Sequence, residues 1–254
     1  MCRLLKFSLL LICSLSVMNF FSDRIFAEEY YNDPPGTQEL NIYGIEKKRE
    51  IISTGVISPD KSLMSYSVVH FYPNNRQFTS KVFITGNVFQ IKTTDKMARS
   101  ILESGLDSFD KHIFRTLTIV DWSADSKKLL IKESVGEYFR SIWATNIFVY
   151  NFDTGNAKSL DNIRKAIVYY WKNNQNLDLY DYRWDVIPLG WDINNPDMVI
   201  VNAYGYGDSG KQFLGCWGID TFNDTAKLLS LSNEKLPVAR NGFKFVPHTT
   251  KKGA

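Results

Sequence analysis

Thr116-Leu117-Thr118-Ile119-Val120-Asp121-Trp122-Ser123-Ala124-Asp125-Ser126-Lys127-Lys128-Leu129-Leu130-Ile131 opens the stretch that decides the fold, which runs on to Leu160. It reads as four short strands: Leu117–Ser123, Leu129–Ser134, Ile147–Phe152 and a last one ending at Leu160. Turns fall at Ala124-Asp125-Ser126-Lys127 and at Asp153-Thr154-Gly155. Each run is short, rich in β-branched and aromatic residues, and bounded by Asp, Ser or Gly, which is the pattern of an antiparallel meander.

The same pattern occurs once before and once after this stretch. Val56-Ile57-Ser58-Pro59-Asp60, Asp121-Trp122-Ser123-Ala124-Asp125 and Gly190-Trp191-Asp192-Ile193-Asn194 align without gaps. A bulky apolar residue (Ile57, Trp122, Trp191) precedes a short polar one (Ser58, Ser123, Asp192). Two places later comes an Asp or Asn (Asp60, Asp125, Asn194), and an apolar strand resumes at Met64, Leu129 and Met198. Asp and Asn tolerate tight-turn dihedrals and bond their own backbone, while Trp or Ile plugs a core between sheets. The plugs lie 65 and then 69 positions apart, more than the ~40–45 residues of one four-stranded unit, so insertions are expected.

Two of these insertions read as helices. In Thr93–Gly105, Met97, Ile101 and Leu102 share a helical face, with Thr94 or Asp95 to start it and Gly105 to stop it. In Ser159–Asn173, the apolar residues Leu160, Ile163, Ile167, Tyr170 and Trp171 follow a helical period, ended by Asn173-Asn174. Gln38–Ile45 alternates as a half-buried strand, and Asn241–Val246 offers one more.

The turns Ser58-Pro59-Asp60 and Trp122-Ser123-Ala124-Asp125-Ser126-Lys127-Lys128-Leu129, with the following Ile147-Phe148-Val149-Tyr150-Asn151-Phe152-Asp153-Thr154-Gly155, resemble the WD40-like propeller repeats of TolB-type periplasmic proteins. The third repeat departs, with Asn194 in place of Asp and an added Asn195-Pro196. The resemblance implies an all-β fold of blade-like antiparallel four-stranded meanders, a small or incomplete β-propeller with two helical insertions. It implies protein partners at the cell envelope and is nearly silent on activity. Three repeats, near residues 52–92, 116–160 and 185–232, are fewer than the four to eight blades that usually close a propeller. The terminal strands completing a fourth blade, two chains pairing into a fuller ring, or an open stack of sheets would each resolve this.

The chain opens with Arg3 and Lys6 before an apolar run from Phe7 to Phe21, then Ser22-Asp23-Arg24 and a small residue, Ala27. This is the pattern of a secretory signal over residues 1–27, with an uncleaved anchor as the alternative. Residues 28–37 read as a flexible leader, 38–248 as a single propeller-like domain and 249–254 as a tail. Removing 1–27 lowers Lys+Arg from 30 to 27 and Asp+Glu from 27 to 26, a net charge of +1. No clustered cationic face for nucleic acid is left. Cys2 and Cys13 leave as well, so Cys216 has no disulfide partner within the chain. A secreted or periplasmic protein without a membrane span is expected.

Tyr206-Gly207-Asp208-Ser209-Gly210-Lys211 contains Gly-Asp-Ser-Gly, as in a serine protease loop, and Gly205-x4-Gly210-Lys211 nearly spells a phosphate loop. Lys211 stands where the protease has glycine, and Gln212 where the phosphate loop has its hydroxyl residue. A glycine-rich hairpin between Val199–Tyr204 and Phe213–Ile219 is the simpler reading. His70, His112 and His248 lack metal-ligand spacing, so neither metal nor cofactor is expected. Asn223-Asp224-Thr225 is a glycosylation sequon.

The densest aromatic stretch, Tyr169–Trp191, carries Tyr169, Tyr180, Tyr182, Arg183 and Trp184 as candidate ligand-binding residues. Aromatic plates beside amides and charges suit a peptide or glycan, although aromatics equally fill cores. The function expected is a non-catalytic module presenting loops to a protein, peptide or glycan. A secreted glycan hydrolase using Asp178, Asp181 or Asp185 is the alternative.

Overall fold

The computed structural model describes residues 50–72, 77–86, 98–104, 113–137, 143–207, 210–234 and 236–245. The expected signal, leader, first strand at Gln38–Ile45 and tail beyond 249 lie outside the described residues, as do His112 and His248.

The described chain is mostly β and folds as three antiparallel meanders. The first contains β1 (Glu50–Ile52), β2 (Val56–Ile57), β3 (Met64–Tyr72), β4 (Gln77–Thr85) and β5 (Arg99–Glu103). Both β1 and β2 pair with β3, so they act as one interrupted strand. The second is β6 (Ile113–Trp122), β7 (Lys128–Glu137), β8 (Trp143–Asn151) and β9 (Asn156–Ser159). The third is β10 (Trp184–Asp192), β11 (Met198–Gly207), β12 (Gly210–Asp220) and β13 (Thr225–Ser230). Two further strands, β14 (Val238–Ala239) and β15 (Phe243–Lys244), come from the C-terminal segment. The helix α1 (Asn162–Gln175) and a 3-10 turn at Leu179–Asp181 connect the second and third sheets.

The repeat is visible atom by atom. In the first turn the Ser58 hydroxyl donates to Asp60 Oδ1 (2.5 Å), the Ser62 N–H donates to the same oxygen (3.1 Å), and the Leu63 N–H donates to Ser58 Oγ (3.0 Å). In the second, Ser123 donates to Asp125 Oδ1 (2.6 Å), the Lys127 N–H joins it (3.0 Å), and the Lys128 N–H donates to Ser123 Oγ (2.8 Å). Lys61 and Ser126 hold the same left-handed position, with φ of 60° and 61°. The Ser58 hydroxyl, followed by the Ser62 N–H, brings the Asp60 carboxyl down to about 2. The third turn uses different chemistry: the Asn194 and Asn195 N–H groups both donate to Asp192 Oδ1 (2.6 and 2.9 Å).

Each turn touches the next. The Asp60 N–H donates to Ser126 Oγ (3.2 Å), and Lys128 pairs with Asp197. Inside, Trp122 and Trp191 are buried, with 0% and 1% of their surface exposed. The Trp122 indole N–H donates to the Val56 carbonyl of the first sheet (3.0 Å), and that of Trp191 to the Asp121 carbonyl of the second (3.4 Å). Ladder irregularities at Ile119/Asp121 and Pro188/Gly190 put a bulge two residues before each Trp, and bulges re-aim the side chains that follow them. Ile57 holds the same place on its strand but is half-buried, and its side chain has no donor with which to reach a further sheet.

The expected helix at Thr93–Gly105 is corrected: Arg99–Glu103 is the strand β5, and residues 93–97 and 105 lie outside the described set. Val82 faces Leu102 and Lys81 faces Glu103, with a Lys81–Glu103 ion pair at 3.0 Å. Ser104 then closes the pairing, its N–H donating to the Ser80 carbonyl (2.8 Å) while its hydroxyl accepts the Ser80 N–H (2.9 Å). A sheet edge waiting for a fourth strand outweighs a helical spacing carried by three apolar residues. One α-helix, not two, is found among the described residues. It covers nearly the expected span, buries Ile163 and Ile167 between the second and third sheets, and ends where Asn176 turns left-handed (φ 52°). No helix among the described residues is long and apolar enough to cross a membrane.

The C-terminal segment laces the three sheets in reverse order. Val238 and Ala239 pair with Asp192 and Trp191. The Asn241 and Gly242 N–H groups donate to the two oxygens of Asp121 (3.0 and 2.8 Å). Phe243 and Lys244 pair with Ile57 and Val56. The expected strand at Asn241–Val246 is thus short, and it joins the first sheet rather than forming a fourth. Gly242 is required here, because a Cβ would lie 2.7 Å from Val56 Cγ1 and 2.9 Å from Asp121 Oδ1.

If the two indoles are equivalent plugs, replacing Trp122 or Trp191 by Ala should each cost about 3–5 kcal/mol in denaturant melts. A loss below about 1 kcal/mol at either would show the position is not core.

Burial pushes the Asp121 carboxyl up to about 6, against the opposing pull of the Asn241, Gly242 and Trp122 N–H groups and the Arg240 guanidinium. The unfolded chain releases this proton near pH ~3.9, so the folded chain binds the extra proton between those values. The associated stability is full below the unfolded value and is lost as pH rises through about 6. Going from pH 5 to 7.5 should lower wild-type stability by on the order of 1 kcal/mol. Asp121→Ala should lack that component in paired urea titrations.

Candidate functional site

The Tyr169–Trp191 stretch divides between core and surface. Trp191 is the plug of the third sheet. Tyr170 and Trp171 pack edge-on to each other, Tyr170 meets Trp217 edge-on, and the Trp171 indole donates to the Leu214 carbonyl (3.0 Å). Trp184 is half-buried against the core beside α1, with the Arg164 guanidinium 5.2 Å from its ring. Of the five sequence candidates, Trp184 is therefore a packing residue.

The other four are exposed. Tyr180 and Tyr182, at 79% and 54% exposure, flank the end of the 3-10 turn where the chain enters β10. Arg183 follows directly, its guanidinium 5.5 Å from the Tyr206 ring, while its carbonyl accepts the Tyr206 N–H (2.7 Å). Tyr169 is exposed on α1.

Two strands that the sequence reading assigned only to a hairpin complete the cluster. The hairpin is present, with Tyr206 facing Lys211 and Gly207 facing Gly210 across β11 and β12; Asp208 and Ser209 lie outside the described residues. Tyr204 and Tyr206, two apart on β11, stand on one face of the sheet. Lys211 Nζ sits 3.6 Å above the Tyr204 ring. Phe213 packs at 5.4 Å from the same ring, and the Asn202 amide donates to the Tyr204 hydroxyl (3.2 Å). The available signal was the Tyr204-x-Tyr206 alternation opposite Lys211. It needed the strand register to be read as one surface.

The acidic residues have other tasks. Asp185 is buried, and its carboxylate accepts the Thr145 N–H (3.1 Å) and hydroxyl (2.8 Å) and pairs with Arg164. Arg164 also donates to the Thr145 carbonyl (2.9 Å). This one carboxylate joins β8, α1 and β10. Asp178 accepts the Tyr180 N–H (3.1 Å), opening the 3-10 turn, and lies 3.5 Å from Lys172. Asp181 is exposed.

His70 faces Glu50 across the β1–β3 ladder, with Nδ1 3.3 Å from its carboxylate. Burial pushes the Cys216 thiol up to about 11, so it stays protonated at neutral pH. The sequon residue Asn223 is exposed in the β12–β13 turn, its N–H donating to Asp220 Oδ1 (2.9 Å).

Among the described residues the fold is an array of three antiparallel sheets with one α-helix. No family model matches the chain, and no curated protein matches it either. Among solved structures it is similar to Pyrococcus horikoshii acylaminoacyl peptidase, with TM-score 0.41 and 13% identity over 72% of this chain and 25% of that one. It is also similar to AtxE2 isopeptidase (TM-score 0.40, 10% identity, 71% of this chain and 31% of that one). A third similar structure is Porphyromonas gingivalis dipeptidyl peptidase 4 (TM-score 0.38, 13% identity, 70% of this chain and 25% of that one). The chain spans between a quarter and a third of the length of these proteins. Likeness of this depth transfers no residue role and no activity.

Asp185→Ala should cost about 3 kcal/mol, because it leaves the Arg164 guanidinium and the buried Thr145 without their carboxylate partner. A double-mutant cycle with Arg164→Ala should give a coupling of about 1–3 kcal/mol. Full stability in the single variant would release Asp185 for another role.

Proposed function

We propose that this chain is a secreted or periplasmic, non-catalytic binding module. Its three sheets act as blades of a small propeller-like array, and the Tyr180–Arg183 end of the third sheet meets a protein or peptide at the cell envelope. The observation that carries this reading is the pair of tyrosine rings, Tyr204 and Tyr206, each with a cation above it, with exposed Tyr180 and Tyr182 just ahead of Arg183 in the chain. Tyr and Arg dominate binding hot spots because they bring large contact area and directional bonds at low entropic cost. Rings already stacked with their cations are partly preorganised, which lowers the cost of binding. The surface stands on paired strands, and a rigid platform holds contact residues better than a loop does. Export rests on the sequence pattern of residues 1–27, and the blade assignment on the repeated turn and plug chemistry.

The test is selection of short peptides from a random display library on the intact chain, followed by measurement of each on Arg183→Ala/Tyr206→Ala. Enriched peptides should lose at least about tenfold in affinity on the double variant, with its melting temperature close to wild type. Peptides that bind both proteins equally would place recognition elsewhere.

A further inference from the structure

The segment from Val238 to Phe245 is held chiefly by main-chain bonds, with Val238 and Ala239 partly buried against the neighbouring sheet and the Arg240 side chain donating to the Leu189 carbonyl (3.3 Å). None of its side chains is fully buried, and Phe243 is 49% exposed. Its bonds fall at or within one residue of the plug position of each sheet in turn: Trp191–Asp192, Asp121–Trp122 and Val56–Ile57. The Phe245 N–H extends the series to the Gly55 carbonyl (2.7 Å). Without the segment, the Asp121 carboxylate would keep only the Trp122 N–H (2.8 Å). Such a position calls for an occupant, since a buried charge stripped of its donors is costly.

The groove also reads sequence. Two consecutive backbone N–H groups meet Asp121. The side-chain amide of the first residue, Asn241, donates to the Trp122 carbonyl (2.9 Å), and the second must be glycine for want of space at Val56 and Asp121. The flanking residues add to the edges of β10 and β2 as strands, a common mode of peptide recognition.

We propose that residues 238–245 are an exchangeable strand, and that the groove accepts the same segment from a second copy of this chain. The occupant is argued from its own seat: the groove demands Asn-Gly between two short strands, and every copy carries that segment together with the groove. Residues 231–234, which lead into it, are exposed. The connection 231–237 can reach roughly 25 Å when extended, enough to leave one body for another. An exchange re-forms identical contacts, so its cost is set by concentration and not by lost bonds.

Reciprocal full-length variants test this. Gly242→Val spoils the strand and keeps the groove; Asp121→Ala spoils the groove and keeps the strand. Mixed in equal amounts, they should form a heterodimer by native mass spectrometry at least about tenfold more abundant than either homodimer. A mixture no more associated than its parts, both being folded, overturns the proposal. Should Asp121→Ala fail to fold, a synthetic peptide of residues 236–245 is added to the Gly242→Val chain. The wild-type peptide should raise its melting temperature, and the same peptide carrying Gly242→Val should not; no shift from either peptide overturns the proposal. Should Gly242→Val itself fail to fold, the wild-type peptide present during refolding must restore its β-sheet spectrum. Absence of that rescue likewise overturns the proposal.

Discussion

The indole N–H of one sheet's tryptophan reaching a main-chain carbonyl of the sheet before it is the contact on which this architecture depends. A four-stranded meander buries only one set of side chains when it stands alone, and it leaves its inner strand with an open edge. Trp122 and Trp191 answer both problems at the same place. Each ring fills the space between two sheets, and each N–H donates to a main-chain carbonyl of the neighbouring sheet. The preceding bulge in each strand is what lets a ladder residue aim along this direction. The spacing of the repeat is therefore a spacing of plugs, with β-turns following because a strand that ends in a plug must reverse.

The residues before the plugs carry a second constraint. Asp121 is buried at the junction where the C-terminal segment crosses the second sheet, and its three main-chain donors offset part of the cost of that burial. Gly190 does the equivalent steric service in the third sheet: a Cβ there would lie 2.6 Å from Val238 Cγ1. Asp in one sheet and Gly in another thus serve one crossing. Local turn chemistry builds the sheets, and a segment distant in sequence holds their inner ends together.

How much of this the sequence disclosed follows from the range of each interaction. The Ser58–Asp60 and Ser123–Asp125 turns were legible because every bond in them closes within five residues. The plugs were legible because Trp beside a turn has few other uses. β5 was misread as helix, since Ile101 and Leu102 suit either period, and the deciding bonds come from Ser80, more than twenty positions earlier. The Asn241–Asp121 latch spans 120 positions and leaves no local trace. In the candidate site, the exposed Tyr180, Tyr182 and Arg183 were legible, while Trp184 was not separable from them until its contact with Arg164 was known. Tyr204, Tyr206 and Lys211 became part of a surface only through strand register.

The third sheet keeps its two tasks apart by length. β10 begins at Trp184, beside the tyrosines and cations, and ends at Asp192, where the C-terminal segment pairs. At ~3.3 Å per residue those ends stand roughly 25 Å apart. Changes at the laced end therefore leave the presenting end free of contact. Between them, Val186, Val199 and Val201 are fully buried and couple the strand to the helix and the second sheet. A strand rigid along its middle can hold an interaction surface at one end while the other end trades partners. Two bodies joined through their laced ends would carry two presenting ends, and paired weak sites on one particle bind far more tightly than either does alone.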